Sequence, residues 1–265
     1  MSFYDEYFKL EMKDVTEYKI SYLKSLVQNN TVYKFIAFDN NEKLNQLKLD
    51  ALKRDSLWFS YYKFLNDKTE FEIDYSIKKV CNKTGHSQEW IKNKFRTLQQ
   101  LYNICSFTYD YQLDMWNEYA NHGNGFCLVF EIIEYDFLWP VEYKWKKDIN
   151  WTKMIIKSIK TLEGTKGLHN DPMAYYPFVV KNPKNDKLDS TKEKELRMNY
   201  SPYDTKEFNN GFIYPNVKTI LGHKGLNVNW NSQGLRLKEI IIGDNCKFNE
   251  ELHDYGDVET TNSSC

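Results

Sequence analysis

The sequence lacks close cysteine pairs and long apolar runs, and each absence excludes a class of protein. Its five cysteines, Cys81, Cys105, Cys127, Cys246 and Cys265, are widely spaced, so they match neither a zinc knuckle nor a redox motif. No segment approaches the ~20 apolar residues that a membrane span needs. The first residues are acidic and lack an apolar signal core. These absences predict reduced thiols in a cytoplasmic protein that is not anchored to a membrane.

Net charge is also almost absent. The chain has 36 basic and 37 acidic residues, so it creates no overall field that would attract a polyanion or an acidic membrane. It contains no P-loop, no glycine-rich dinucleotide fingerprint, no HExxH and no GxSxG. The histidines are scattered, and none stands at metal-ligand spacing from a cysteine or carboxylate. The sequence therefore predicts no metal site.

Aromatic residues are abundant, at 16% of the 265 residues, with 20 Tyr, 16 Phe and 7 Trp. Such rings line cores and clefts, and they can also stack on a nicotinamide or a nucleobase. The length predicts one large domain. We expect a helical appendage over residues 1–30, a single catalytic-type domain over 31–253 and a frayed polar tail over 254–265.

Hydrophobic periodicity predicts an α+β protein, with a mixed or antiparallel sheet flanked by helices. Ser87 and Asn150 stand where helix N-caps belong, and Gly123 closes a brief helix. Residues 166–190 are rich in Gly, Pro, Asn and Lys, which predicts an ordered but irregular loop. The predicted strands are Val32–Phe38, a strand beginning at Ser56, Ile104–Tyr109, Phe126–Ile132, Phe137–Lys144, 217–221 and Arg236–Asn245.

The stretch TKEKELRMNY, residues 191–200, carries two neighbouring carboxylates. In an extended strand Glu193, Glu195 and Arg197 would share one face. That pattern is typical of a half-buried edge strand with a solvated polar side. Two carboxylates this close also suit acid–base chemistry, because repulsion between them raises one of the two pKa values. Arg197 would moderate this repulsion or neutralise both carboxylates in a structural salt bridge.

Two further polar islands lie beside apolar segments. Ser60 ends a strand before the loop that contains Asn66 and Asp67, and these two residues are ordinary turn formers. Trp116 and Tyr119 lie three apart on one face of a short helix, a spacing that core packing usually explains. Because both islands occur together with the acidic pair, all these residues remain candidates.

Five segments occur in the same order and at similar spacing as in a widespread family of uncharacterised bacterial and phage-borne domains, which the chain resembles. They are LWFSYYKFLNDKTEFE, CSFTYDYQLDMWNEYANHGNGFCLVFE, PVEY, EKELRM and LKEIIIG. The resemblance spans roughly residues 32–243, and MWNEYA is its most specific part. Where the family often has YKYR on its first strand, the chain has Tyr33, Lys34, Phe35 and Ile36, so the arginine is missing. Lys68 replaces the usual proline of the next loop. No tryptophan precedes the glutamate pair.

The order of elements also resembles that of mono-ADP-ribosyltransferases. In those enzymes a polar residue of the first strand and a serine of the second frame NAD, and a later glutamate holds the nicotinamide ribose. By position, this resemblance implies Tyr33 or Lys34 as the first element, Ser60 as the second and Glu195 as the third. Glu193 would direct the acceptor.

The same resemblance implies that further residues seat NAD. Aromatic walls would come from Tyr61, Trp116 or Tyr119, and Asn66 with Asp67 would border the cofactor site. Breaking the bond from nicotinamide to ribose develops positive charge at the anomeric carbon, and a fixed carboxylate stabilises that charge. A second carboxylate would accept a proton from the incoming nucleophile.

We therefore expect an NAD-dependent mono-ADP-ribosyltransferase or NAD glycohydrolase, acting as a toxin or anti-phage effector. Its partners would be NAD as substrate, a protein or nucleic acid as acceptor, and an antitoxin or a phage-derived protein. The alternative is a non-catalytic module that binds a nucleotide or a protein as a sensor in a defence system. The missing first-strand arginine favours this alternative.

Overall fold

A computed structural model of the chain describes residues 2–65, 71–164, 172–184, 189–200, 218–220, 223–255 and 259–263. Within these ranges the chain forms nine α-helices and twelve strands. The helices are α1 (Phe3–Tyr7), α2 (Met12–Leu26), α3 (Glu42–Leu52), α4 (Ile77–Thr84), α5 (Gln88–Leu101), α6 (Asp114–Tyr119), α7 (Trp151–Gly164), α8 (Pro172–Val179) and α9 (Asn249–His253). The strands are β1 (Thr31–Ala37), β2 (Ser56–Tyr61), β3 (Asn103–Thr108), β4 (Gly125–Ile132), β5 (Leu138–Pro140), β6 (Glu142–Tyr143), β7 (Val180–Lys181), β8 (Glu195–Tyr200), β9 (Lys218–Ile220), β10 (His223–Asn229), β11 (Leu235–Ile242) and β12 (Glu259–Asn262).

One large sheet dominates the fold. Its strands follow the order β12, β11, β4, β1, β3, β2, β10 and β9, and β8 and β5 branch from β3. All its neighbours are antiparallel except β11 and β12, while β6 and β7 form a separate parallel pair. The predicted α+β class, with a largely antiparallel sheet flanked by helices, is confirmed.

The large sheet branches at β3, which has three neighbouring strands. β8 pairs with β3 along its whole length, from Asn103 opposite Tyr200 to Thr108 opposite Glu195. Because β8 occupies that edge, β1 and β2 share the other edge. β2 pairs with the first two residues of β3, and β1 pairs with Thr108 at its end. β1 and β2 therefore diverge over the middle of β3, and the sheet opens between them.

β4 is buried because it lies between β1 and β11. Phe126, Leu128 and Phe130 pack in the main core on one face. Cys127 packs beside Trp116 on the other face. A strand buried on both faces has an almost continuous apolar sequence, so the predicted buried strand in this segment is confirmed.

Local capping signals place two helix starts as predicted. The Ser87 side chain accepts a hydrogen bond from the Trp90 amide at 3.1 Å, and Asn150 accepts one from the Lys153 amide at 3.1 Å. The predicted helix end at Gly123 is corrected, because α6 ends at Tyr119 and Ala120 is its C-cap. Gly123 lies in the turn that follows, with φ +81°, a backbone conformation that side chains with a Cβ rarely adopt.

The two N-terminal helices pack into the body of the protein. Leu23 and Val27 belong to the main core. The Tyr4 hydroxyl, in a residue only 1% exposed, donates a hydrogen bond to the Pro140 carbonyl at 2.8 Å. The helices predicted in residues 1–30 are confirmed, but they are not an appendage, because other elements bury their aromatic and aliphatic side chains.

The segment predicted as an irregular loop, residues 166–190, contains α8 and β7. Phe178, Val179 and Val180 are buried there. The loop prediction was wrong for this part because it weighed the Pro, Asn and Lys content above the short apolar run. Residues 165–171 and 185–188 lie outside the described residues.

The C-terminal residues 254–265 include the strand β12, so the prediction of a frayed tail is corrected. β12 pairs in parallel with β11, from Glu239 opposite Glu259 to Ile242 opposite Asn262. The Ser263 hydroxyl lies 2.9 Å from an Asp244 carboxylate oxygen. A polar segment can occupy a sheet edge because backbone hydrogen bonds form whatever the side chains are.

The sequence predicts reduced cysteines and no membrane-spanning segment. Cys81, Cys105, Cys127 and Cys246 are free thiols, and Cys265 lies outside the described residues. In the part of the chain that the structure describes, no helix has both the length and the apolar character to cross a membrane.

Candidate functional site

A pocket of about 220 Å³ opens where β1 and β2 diverge. β1, the end of β2, the middle of β3, α6, β7 and the start of β8 all contribute to its lining. Five of the lining residues are apolar: Phe35, Phe64, Leu65, Phe107 and Met115. Five others are charged: Lys34, Lys181, Glu193, Glu195 and Arg197. The branch in the sheet thus brings residues that are distant in sequence into one cavity.

Six of the ten residues predicted for the site line this pocket. They are Tyr33, Lys34, Ser60, Tyr119, Glu193 and Glu195. Asn66 and Asp67 lie outside the described residues. Ser60, the next-to-last residue of β2, and the two glutamates therefore line the same pocket.

Trp116 and Tyr61 do not line the pocket. Trp116 is 2% exposed, and its ring meets Phe35 edge-on at 5.1 Å between centroids. Its indole nitrogen donates to the Tyr111 hydroxyl at 3.0 Å. The Tyr61 ring contacts Tyr62 instead, at 4.8 Å. The prediction that these two rings line the cofactor site was wrong, because the Trp116 ring packs in the core and the Tyr61 ring packs beside Tyr62.

β8 is an interior strand, so the edge-strand interpretation was wrong. It lies between β3 and β5, which pair with its two edges. The polar face of β8 consequently points into the protein, where Glu195 is 5% exposed and Arg197 2% exposed. Alternation in the sequence indicated one polar face, but it could not show that this face is enclosed.

Glu193 does not belong to β8. It ends a 3₁₀ turn, Ser190–Glu193, and Lys194 then has φ +48° and ψ +49°. This left-handed residue, uncommon for a side chain with a Cβ, turns the chain between the two glutamates. Both carboxylates still reach the pocket, but from a turn and a strand rather than from one strand face.

Four donor atoms surround the Glu195 carboxylate. Arg197 Nε lies 2.7 Å from Oε1, and its Nη2 lies 3.3 Å from Oε2. Lys181 Nζ lies 3.5 Å from Oε2, and the Ser106 hydroxyl donates a further hydrogen bond. Burial raises the pKa of Glu195, but the charges of Arg197 and Lys181 outweigh burial and hold the pKa well below its usual range. Glu195 is therefore ionised at neutral pH.

Glu193 has different surroundings. Lys181 Nζ lies 2.5 Å from its Oε2, and the Tyr119 hydroxyl donates a hydrogen bond to it. Burial raises the pKa of the Glu193 carboxyl, and the charge of Glu195 adds to this, although Lys181 opposes it. Burial and the hydrogen bond to Glu193 also raise the pKa of the Tyr119 hydroxyl. The expectation that one carboxyl of the pair has a raised pKa is confirmed, with burial as the larger cause.

Lys181, at the end of β7, is a site residue that sequence reasoning missed. Its ammonium bridges the two carboxylates and is 8% exposed. Burial lowers its pKa, but the negative charges of Glu195 and Glu193 outweigh burial, so the pKa lies above its ordinary value. The only signal in the sequence was the apolar run Phe178–Val180 directly before it.

Lys34 occupies the gap in the sheet. Its ammonium donates to the Ser106 carbonyl at 2.9 Å, an oxygen in the part of β3 that neither β1 nor β2 pairs with. The ammonium carries three donors, so Lys34 can bond to the backbone and still offer a donor to a ligand.

Across the described ranges, no group of three or more His, Cys, Asp and Glu residues is placed to hold a metal ion.

Comparisons with protein-family models, with curated proteins and with solved structures find no match for the chain. The two resemblances given by the sequence motifs therefore remain predictions.

Proposed function

We propose that the protein binds NAD in this pocket and breaks its nicotinamide–ribose bond, as an ADP-ribosyltransferase or NAD glycohydrolase with an ADP-ribosyltransferase-like fold. The observation that supports this most is the shared lining of one pocket by Ser60, Lys34, Glu193 and Glu195. These are the residues that the resemblance assigns to NAD binding and catalysis. A toxin or anti-phage effector in the cytoplasm is the setting that fits the resemblance.

The charges in the pocket suit the reaction. When the bond from the anomeric carbon to the pyridinium nitrogen breaks, the electron pair leaves with nicotinamide and positive charge develops on the ribose. An ionised carboxylate fixed beside the ribose stabilises that charge more in the transition state than in the ground state. A second carboxylate takes the proton of the attacking water or acceptor hydroxyl as the new bond forms.

The size of the pocket limits what it can enclose. Pockets that bury most of a drug-sized ligand have volumes of roughly 300–1,000 Å³, and this one has about 220 Å³. It would therefore take the nicotinamide ribose half of NAD, with the adenosine half extending outside. The apolar lining residues would contact the nicotinamide ring, and the charged ones would contact the ribose.

The direct test is to incubate the protein with NAD and measure released nicotinamide by chromatography. We expect release by the wild-type protein and loss of release in Ser60→Leu, which fills the pocket without altering a charged group. Ser25→Leu is the matched control, because Ser25 is exposed on α2. The proposal fails if the wild-type protein releases no nicotinamide, or if Ser60→Leu releases as much as Ser25→Leu.

A second candidate function is a non-catalytic sensor that binds a nucleotide or a protein partner. It is favoured by the hydrogen bonding of Glu195. Its carboxylate already accepts hydrogen bonds from Arg197, Lys181 and Ser106, so it is occupied by protein groups rather than open to a ribose. A thermal melt with and without NAD detects binding, because a ligand that binds only the folded state raises the melting temperature, and the release assay then separates the two functions. The sensor predicts a rise in melting temperature without nicotinamide release.

A further inference from the structure

The two glutamates differ in how many acceptor positions remain open. An ionised carboxylate has about four lone-pair positions. Glu195 receives four donor atoms, two from Arg197 and one each from Lys181 and Ser106. A ribose hydroxyl could bond to Glu195 only by displacing one of these partners.

Glu193 receives two donors among the described residues, one from Lys181 and one from Tyr119. Within the described part of the chain, two of its lone-pair positions therefore receive no donor. Its side chain is also the more exposed of the pair, at 13% against 6% for Glu195. The left-handed turn at Lys194 separates it from β8 and from Arg197, which is bonded to Glu195.

We propose that Glu193 is the carboxylate that contacts the ligand, and that Glu195 is a positioning residue that holds Arg197 and Lys181 in place. This reverses the roles that the resemblance implies. The identity of the ligand rests on the proposed function, whereas the different bonding of the two carboxylates does not.

Lys181 links the two roles. Its ammonium lies 2.5 Å from a Glu193 oxygen and 3.5 Å from a Glu195 oxygen. Glu195 fixes Lys181, and Lys181 in turn orients Glu193 toward the pocket. The groups that face Glu193 are Lys181 from β7, Tyr119 from α6 and Glu195 from β8.

Two variants separate the roles in the nicotinamide-release assay. Glu193→Gln keeps the size of the side chain, and it should lower release about 100-fold with an unchanged melting temperature. Glu195→Gln with Arg197→Met removes a buried charge of each sign and leaves Lys181 paired with Glu193. This double variant should fold and release nicotinamide within about tenfold of wild type. The proposal is overturned if Glu193→Gln keeps wild-type release, or if the folded double variant loses as much as Glu193→Gln.

A second measurement needs no turnover. In wild-type protein with ¹³C-labelled glutamate carboxyl groups, the Glu193 resonance should titrate above the usual glutamate range and move when ADP-ribose is added. The Glu195 resonance should stay constant from pH 8 down to about pH 4 and should not respond to ADP-ribose. Titration of Glu195 in the ordinary glutamate range, or an ADP-ribose response at Glu195 without one at Glu193, overturns the proposal. A wild-type protein that releases no nicotinamide would refute the proposed reaction, and this measurement would still decide between the two carboxylates.

Discussion

Lys181 and Lys19 are both buried lysines, but their pKa values shift in opposite directions. Lys181 is 8% exposed and Lys19 is 4% exposed. The Lys19 ammonium donates to the Asp136 carbonyl at 2.6 Å and lies 4.1 Å from the centre of the Trp139 ring. Burial lowers the pKa of Lys19 to about 8, because the Asp136 charge opposes burial only in part. The pKa of Lys181 is raised by its two carboxylates.

The direction of each pKa shift is set by the groups that surround the ammonium, since both lysines are similarly buried. Lys19 attaches α2 to β5 through the Trp139 ring and to the segment before β5 through the Asp136 carbonyl, and neither group carries a full charge. Lys181 belongs to a set of four charged side chains that also includes Glu193, Glu195 and Arg197. A buried set of this kind is costly to assemble, and it lines a pocket.

Replacing Lys181 should have the largest effect on stability. Lys181→Met leaves two neighbouring carboxylates buried with a single counter-charge, so we expect the free energy of unfolding at neutral pH to fall by about 3–5 kcal/mol. Denaturant unfolding measures this change. Lys9→Met is the control, because Lys9 is exposed and its ion pair with Glu6 is a surface pair, and it should change stability by less than about 1 kcal/mol. Equal effects of the two substitutions would contradict the comparison.

Replacing Lys19 should change how stability depends on pH. The pKa of Lys19 is lower in the folded state than in the unfolded state, so the unfolded state binds more protons between about pH 8 and 10 and stability rises with pH. Relative to Lys19→Met, the wild-type protein should gain about 2 kcal/mol between about pH 7.5 and 9.5. Urea unfolding of both proteins across this range checks the prediction. Parallel curves for the two proteins would show that Lys19 is not perturbed.

Replacing Glu193 should have the smallest effect. Its ionised form is already disfavoured by burial, and a glutamine oxygen can still accept from Lys181 or Tyr119. We expect Glu193→Gln to change the free energy of unfolding at neutral pH by no more than about 1 kcal/mol. Denaturant unfolding of Glu193→Gln and Lys181→Met under the same conditions compares how much each charged side chain of the set contributes to stability. A loss from Glu193→Gln as large as that from Lys181→Met would mean that the pocket charges contribute equally.

Local signals in the sequence predicted much of the fold. The helix caps at Ser87 and Asn150 were predictable because a cap depends on residues within one turn. The buried β4 was predictable because its apolar run is continuous. Contacts with distant residues were not predictable in this way. The packing of Tyr4 under Pro140 and the pairing of β12 with β11 both depend on segments more than fifteen residues away.

The candidate site was predicted in part. Glu193, Glu195 and Ser60 were singled out, but the alternation that suggested a solvated strand face says nothing about what covers that face. The burial of Arg197 follows from the pairing of β8 on both edges. The position of Lys181 in the site follows from β7, and β7 lies in a segment whose composition is typical of a loop. In both cases the decisive contacts join residues whose proximity no local pattern encodes.

The most direct measurement of the central claim is a time course of the protein with NAD followed by proton NMR, which observes NAD, nicotinamide and ADP-ribose together. The account predicts that nicotinamide accumulates catalytically with the wild-type protein and that its rate falls about 100-fold with Glu193→Gln. NAD that stays intact with folded wild-type protein, or decays equally fast with Glu193→Gln, would contradict it.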